Sequence, residues 1–150
     1  MIKGLYEAHL PVSNLQASIS FYKKLGLTLT REPQEHDKVA FFWIDPGRSW
    51  IGLWENEQAV KTPYHPSLRH IAFEVSLEDL KNAKTHLLSL GIELREDFGF
   101  APIEPIVMPR DGHAMVYFND PDGNSIEFIC KLNKTSQEHE MMYLSDWEKI

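Results

Sequence analysis

The chain repeats itself. Val12-Ser13 recurs as Val75-Ser76, and Asp45-Pro46 recurs as Asp120-Pro121. Each Val-Ser pair ends an alternating run and opens a helical stripe. Each Asp-Pro pair opens a turn that leads into another alternating run. An order of elements met twice implies two copies of one supersecondary unit, which excludes most other architectures at once.

The first copy reads as follows. Tyr6 to Val12 alternates like a strand, with Ala8, Leu10 and Val12 on one face and Glu7 and His9 on the other. Ser13 is an N-cap residue. Leu15, Ile19, Tyr22 and Leu25 recur at helical spacing, and Gly26 ends that helix. Strands follow over 27–30, 39–44 and 50–55, with Asp45-Pro46-Gly47 as a turn. Residues 56–67, with Pro63 and Pro66, read as a linker.

The second copy repeats the order. His70 to Val75 is a strand. Ser76 caps a helix, with Asp79 at the capping-box position. Leu80, Ala83, Leu87 and Leu90 make the stripe, and Gly91 ends it. Strands follow over 92–95, 114–118 and 125–130. Residues 99–112 carry three prolines and read as a long loop. The fold class is α+β: two pseudo-symmetric β-α-β-β-β modules, 4–55 and 68–132, in a single domain over 1–132, with a tail over 133–150.

The stretch Asp120-Pro121-Asp122-Gly123-Asn124-Ser125-Ile126-Glu127-Phe128 holds a tight turn and then a strand. Glu127 lies in the middle of that apolar strand. A carboxylate there is costly to bury unless a metal or a cation pairs with it. The repeat points to its company. Five residues before each repeated valine stand Glu7 and His70. Seven residues after each repeated aspartate stand Gly52 and Glu127. A pseudo-twofold brings these four positions to one place, on the sheet faces that point away from the helices. His9 shares the parity of Glu7 and lies one pleat away, about 6–7 Å along the strand.

Composition narrows the function classes. The chain has 150 residues, 43% hydrophobic and 25% charged, with a formal net charge of −7. That balance argues against nucleic acid, which needs a basic patch. No apolar run is long enough to span a bilayer. The start, Met1-Ile2-Lys3, leads directly into strand-like sequence and suggests no secretory leader. Cys130 is the single cysteine, so a cytoplasmic setting is expected.

Paired β-α-β-β-β modules, Arg69-His70-Ile71-Ala72-Phe73-Glu74-Val75 opening the second, and the Asp120–Phe128 stretch resemble the vicinal-oxygen-chelate superfamily. That superfamily includes glyoxalase I, fosfomycin-resistance thiol transferases, extradiol dioxygenases and bleomycin-sequestering proteins. The resemblance covers roughly residues 4–132. It implies a curved mixed sheet with a concave ligand cleft, and a homodimer. It also implies a divalent metal (Mn, Fe, Ni or Zn) held by a histidine at the first position, a histidine opening the second module and a glutamate on the last strand. His70 and Glu127 fall on two of those positions. Glu7 stands at the first, where a histidine is usual, and His9 is the alternative if a bulge shifts the register. Gly52 stands where some members have a fourth ligand. A threonine used for catalysis in the fosfomycin branch corresponds to His9.

Three ligands leave coordination positions open for a bidentate oxygen ligand. Whichever of Glu7 and His9 does not ligate would move a proton as a catalytic group. Trp50 and Trp54 share the parity of Gly52 and would wall a small-molecule pocket, and His113, Met115 and Tyr117 share the inward parity of their strand. Arg69 would stand at the strand mouth. Glu55 has the helix-side parity and is not counted among the ligands. Met141, Met142, Tyr143, Leu144 and Trp147 form an apolar cluster in the tail, which suits docking on the body or on a second subunit.

Two functions compete. One is a divalent-metal-dependent lyase, isomerase or transferase acting on a small oxygen-rich substrate, like glyoxalase or the fosfomycin-resistance proteins. Ser49-Trp50-Ile51-Gly52-Leu53 and the three-ligand logic favour the fosfomycin branch. The other is a metal-free, bleomycin-resistance-like protein that sequesters a cationic aromatic compound, which the acidic charge and the Trp pair favour.

Overall fold

The computed structural model describes residues 4–63, 65 and 68–150. Met1–Lys3 and, inside the expected linker, Tyr64, Pro66 and Ser67 lie outside the described residues. By its contacts the chain divides into two units. The first runs to Arg69 and includes Asp120–Asn124. The second comprises His70–Asn119 and Ser125–Ile150.

The first unit contains β1 (Glu7–Val12), α1 (Leu15–Lys24), β2 (Thr28–Leu29), β3 (Val39–Asp45), β4 (Ser49–Glu55) and α2 (Glu57–Lys61). Its sheet runs β1-β4-β3-β2. β1 and β4 are parallel and the other pairs antiparallel. The helical stripe is buried at Leu15, Ile19 and Tyr22, and the sheet positions Leu10, Val12, Phe42, Ile51 and Leu53 are buried with it. Full burial of one such aliphatic or Phe side chain is worth about 1.5–3 kcal/mol, so these positions fix which face of the sheet turns inward. Glu7 and His9 are left on the other face.

The α1 N-terminus corrects one expectation. Asn14, not Ser13, is the N-cap: its Oδ1 accepts from the Ala17 N–H at 2.9 Å. The Ser13 N–H instead donates to Asp122 Oδ2 at 3.0 Å, and the Leu15 N–H donates to Glu55 Oε2 at 2.9 Å. Two carboxylates thus take N–H groups at the helix start, where the dipole favours negative charge. The expected linker also contains α2. Asn56 caps it through the Ala59 N–H, and Glu57 pairs with Lys61 one turn on.

The turn Asp120–Asn124 belongs by contact to this unit. Asp120 accepts four hydrogen bonds: from the Asp122 and Asn124 N–H groups, from Asn124 Nδ2 and from the Tyr22 hydroxyl. Asn124 Nδ2 also donates to the Pro11 carbonyl at 3.0 Å. Gly123 takes the positive φ that the turn requires.

The second unit contains β5 (His70–Glu74), α3 (Leu77–Ser89), β6 (Leu94–Arg95), β7 (Ile106–Met108), β8 (His113–Asn119), β9 (Ser125–Lys131), β10 (Met142–Tyr143) and α4 (Leu144–Trp147). Its sheet runs β10-β7-β8-β9-β5, with β6 also paired to β8. β5 and β9 are parallel, as β1 and β4 are in the first unit. The Ser76 cap forms as expected, with the Asp79 N–H donating to Ser76 Oγ at 3.1 Å.

The long loop is not all loop. Ile106 and Val107 are buried in β7, a strand flanked by Pro105 and Pro109. The tail docks on this unit: Met142 and Tyr143 pair with Val107 and Ile106, and Leu144 and Trp147 are buried. Added to β7, β10 continues the sheet beyond what would otherwise be its edge.

Candidate functional site

The strand registers carry the duplication into side-chain placement. In the first unit Glu7 lies opposite Trp50 and His9 opposite Gly52. In the second, His70 lies opposite Ser125 and Ala72 opposite Glu127. Glu7 and His70 therefore hold matching places, as do Gly52 and Glu127.

In the second unit these residues form one polar ring. His70 Nε2 lies 2.9 Å from Glu127 Oε2. His70 Nδ1 lies 3.1 Å from Ser125 Oγ, and Arg95 Nη2 donates to the same Oγ at 2.7 Å. Arg95 is held in turn by Asp97, with Nη1 to Oδ2 at 2.7 Å, and stands 5.2 Å from the centre of the Tyr117 ring. Tyr117 faces Glu127 across the β8–β9 pair, and its hydroxyl donates to Met115 Sδ at 3.2 Å.

Glu127 is only 5% exposed. Burial raises its pKa, and the neighbouring His70 opposes the rise. Burial, and next the Glu127 charge, push the Tyr117 phenol upward, so Tyr117 stays a proton donor at neutral pH. An adjoining pocket is lined by Arg95, Asp97, Phe100, Ile106, Met115 and Tyr117.

The first unit presents a different surface. Trp50 Nε1 donates to Glu7 Oε2 at 2.7 Å, and Trp54 Nε1 donates to His9 Nδ1 at 2.8 Å. His9 Nε2 lies 3.6 Å from Glu7 Oε1. The Trp50 hydrogen bond is the main cause that lowers the Glu7 pKa. Tyr6, Phe41 and Trp43 each pack a ring against Trp50 at centroid distances of 5.3, 5.6 and 4.9 Å. Gly52 is what lets His9 lie flat: a Cβ there would stand 2.3 Å from His9 Nδ1.

Of the residues singled out in the sequence, His70, Glu127, Tyr117 and Met115 come together in the second unit. Glu7, His9, Trp50 and Trp54 come together in the first. His113 does not join its group: it opens β8 opposite Lys131 and Met108, about 13 Å along the strand from Tyr117. Among the described residues no three His, Cys, Asp or Glu side chains form a ready-made metal set. An imidazole and a buried carboxylate 2.9 Å apart nonetheless suit a borderline divalent ion in donor type. Ser125, Arg95 and Asp97 were missed in the sequence. Ser125 could have been found by carrying the β5–β9 register two residues back from Glu127, to the position opposite His70, whereas nothing local marks Arg95.

The sequence over residues 4–128 matches the Glyoxalase family, described as the Glyoxalase/Bleomycin resistance protein/Dioxygenase superfamily. Metallothiol transferase FosB of Bacillus licheniformis is 30% identical over 130 residues, covering 84% of this chain and 74% of that protein. Among solved structures, the fosfomycin resistance protein FosX of Listeria monocytogenes, complexed with Mn(II) and sulfate ion, aligns with a TM-score of 0.64 and 22% identity. That alignment covers 89% of this chain and 94% of FosX. Lactoylglutathione lyase of Agrobacterium tumefaciens aligns with a TM-score of 0.63 and 20% identity, covering 86% and 94% of the two chains.

Proposed function

For this chain, which belongs to the glyoxalase/bleomycin resistance/dioxygenase superfamily, we propose a divalent-metal-dependent transferase that adds a thiol to a small oxygen-rich electrophile such as an epoxide. The observation that carries this reading is the His70 Nε2–Glu127 Oε2 pair at 2.9 Å, in a chain similar to metallothiol transferases over most of its length. His70 and Glu127 are two of the ligands. The family resemblance leaves Glu7 or His9 as the candidate for the third.

When bound, a divalent ion supplies Lewis acidity toward a substrate oxygen. The chain's residues do the rest. Tyr117, opposite Glu127 on the neighbouring strand, walls the carboxylate on one side. Arg95, fixed by Asp97 and Ser125, brings positive charge to the pocket wall, where a substrate anion can meet it. Phe100, Ile106 and Met115 keep water from the pocket. The member of the Glu7/His9 pair that does not ligate accepts the thiol proton. The sulfur bonds to the electrophilic carbon as the carbon–oxygen bond breaks, and the released oxygen takes up a proton.

The same reading has the chain act as a homodimer in the cytoplasm, supported by the family resemblance and by Cys130 being a buried free thiol.

Elemental analysis of protein purified without chelator tests the metal. About one transition metal per chain, lost in His70→Ala and Glu127→Ala, is the expected result. A thiol-and-epoxide assay with the loaded protein then tests the transfer. No uptake of Mn, Fe, Ni or Zn overturns the reading. A second reading is favoured by the first unit: Tyr6, Phe41 and Trp43 pack edge-on or tilted around Trp50, beside a carboxylate whose pKa the Trp50 hydrogen bond lowers, a surface suited to a cationic aromatic compound. Metal-independent quenching of tryptophan fluorescence by such a compound supports it.

A further inference from the structure

We propose that Ser125 is a positioning residue for His70, with its hydroxyl turned toward the imidazole by Arg95 and able to serve that ring both without and with a metal. The argument begins with what each group can do. A guanidinium only donates, so Arg95 Nη2 takes up one lone pair of Ser125 Oγ at 2.7 Å. Ser125 is buried, which leaves water little access to compete for what remains, one O–H and one lone pair. Rotation of the hydroxyl can turn either one toward His70 Nδ1, 3.1 Å away.

On the far side of the ring, Glu127 is an acceptor when ionised. A neutral His70 therefore carries its proton on Nε2 and donates it to Glu127, while Nδ1 accepts from the Ser125 hydroxyl. Ligation through Nε2 reverses this. The proton then sits on Nδ1 and donates to the remaining lone pair of Ser125, and the hydroxyl proton turns away. A hydroxyl can rotate between these two states; a carbonyl or an ammonium cannot. Partners of this kind fix the orientation of a metal-binding imidazole, and their loss commonly costs 10- to 100-fold in metal affinity.

The metal arm of this inference rests on the proposed role of His70, but the positioning arm does not. The test compares wild type with Ser125→Ala, and Ser125→Thr with Ser125→Val. The second pair is matched in shape and differs only in the hydroxyl, so it carries the test even if the alanine variant does not fold. Two quantities are read: Zn(II) affinity by calorimetry, and the mobility of the His70 ring in the metal-free protein by NMR relaxation. The expected result is a 10- to 100-fold weaker Zn(II) affinity and a looser ring in Ala and Val, with both restored in Thr. Equal affinity and equal ring mobility in Thr and Val overturn the proposal. If wild type takes up none of Mn, Fe, Ni or Zn, the metal reading of the site fails, and the ring mobilities still decide the role of Ser125.

Discussion

The two units build the same strand pair and fill it in opposite ways. Where the first places the His9 ring over Gly52, the second places Ala72 beside Glu127. One large and one small residue meet at each crossing, but the large one stands on the first strand of one copy and on the last strand of the other. The electrostatics of the two carboxylates differ as well. Glu7 stays exposed, and an indole N–H lowers its pKa; Glu127 is enclosed, and burial raises its pKa. A duplicated backbone thus offers one open carboxylate under aromatic rings and one enclosed carboxylate in a polar ring. Strand register sets where a group stands, and the place of its strand in the sheet sets whether water reaches it: β1 is at an edge, whereas β9 lies between β8 and β5.

The largest test of this contrast lies in the matched turns. Asp45 is half-exposed and pairs with Arg48, whereas Asp120 is buried and accepts four hydrogen bonds. Asp120→Ala should lower stability by about 3–4 kcal/mol in urea unfolding, because several buried donors lose their acceptor. Asp45→Ala should leave the urea midpoint unchanged. Equal losses would break the comparison.

Next comes His70→Ala, which leaves Glu127 buried without its imidazole. A loss of about 2–3 kcal/mol is expected, below the range for fully buried pairs because His70 is partly exposed. Its counterpart Glu7→Ala should not move the midpoint. Gly52→Ala should cost about 1–2 kcal/mol, as the His9 ring is pushed off and Trp54 loses its acceptor. A shift in tryptophan emission is the accompanying signal.

The smallest effect is in pH. Burial holds Asp120 above the ordinary carboxylate value. Its folded form therefore keeps its proton longer than its unfolded form. The group's contribution to stability is greatest in acid, and it declines as pH rises through the unfolded and then the folded value. The difference in urea midpoint between wild type and Asp120→Ala should shrink as pH is raised through the carboxylate range, and a difference constant with pH would break the assignment.

Much of this was legible in the chain. The repeated Val-Ser and Asp-Pro pairs foretold the order of elements in both halves, because spacing survives where side chains diverge. Parity put Glu7, His9, His70 and Glu127 on the right faces, since the period of a strand admits no other outcome. The misses share a cause. β7 hides between two prolines and is only three residues long. α2 is a single capped turn and a little more. Ser13 and Asn14 are both good capping residues, and what separates them is Asp122, whose position on the Ser13 N–H is a tertiary fact. Arg95 joins the site because β6 pairs with β8 opposite Tyr117, a pairing with no local mark. Local patterns name faces; they do not name the neighbour across a strand.

The turn Asp120–Asn124 has a consequence for how the molecule is made. It completes the first unit, where Asn124 reaches back 113 residues to Pro11. During synthesis the first seventy residues leave the ribosome without the turn that seats the start of α1 and satisfies the Tyr22 hydroxyl. They must wait for nearly the whole second unit to be translated before closing. A fragment that stops at the linker would keep its sheet pattern and leave the Ser13 N–H and the Tyr22 hydroxyl without these partners.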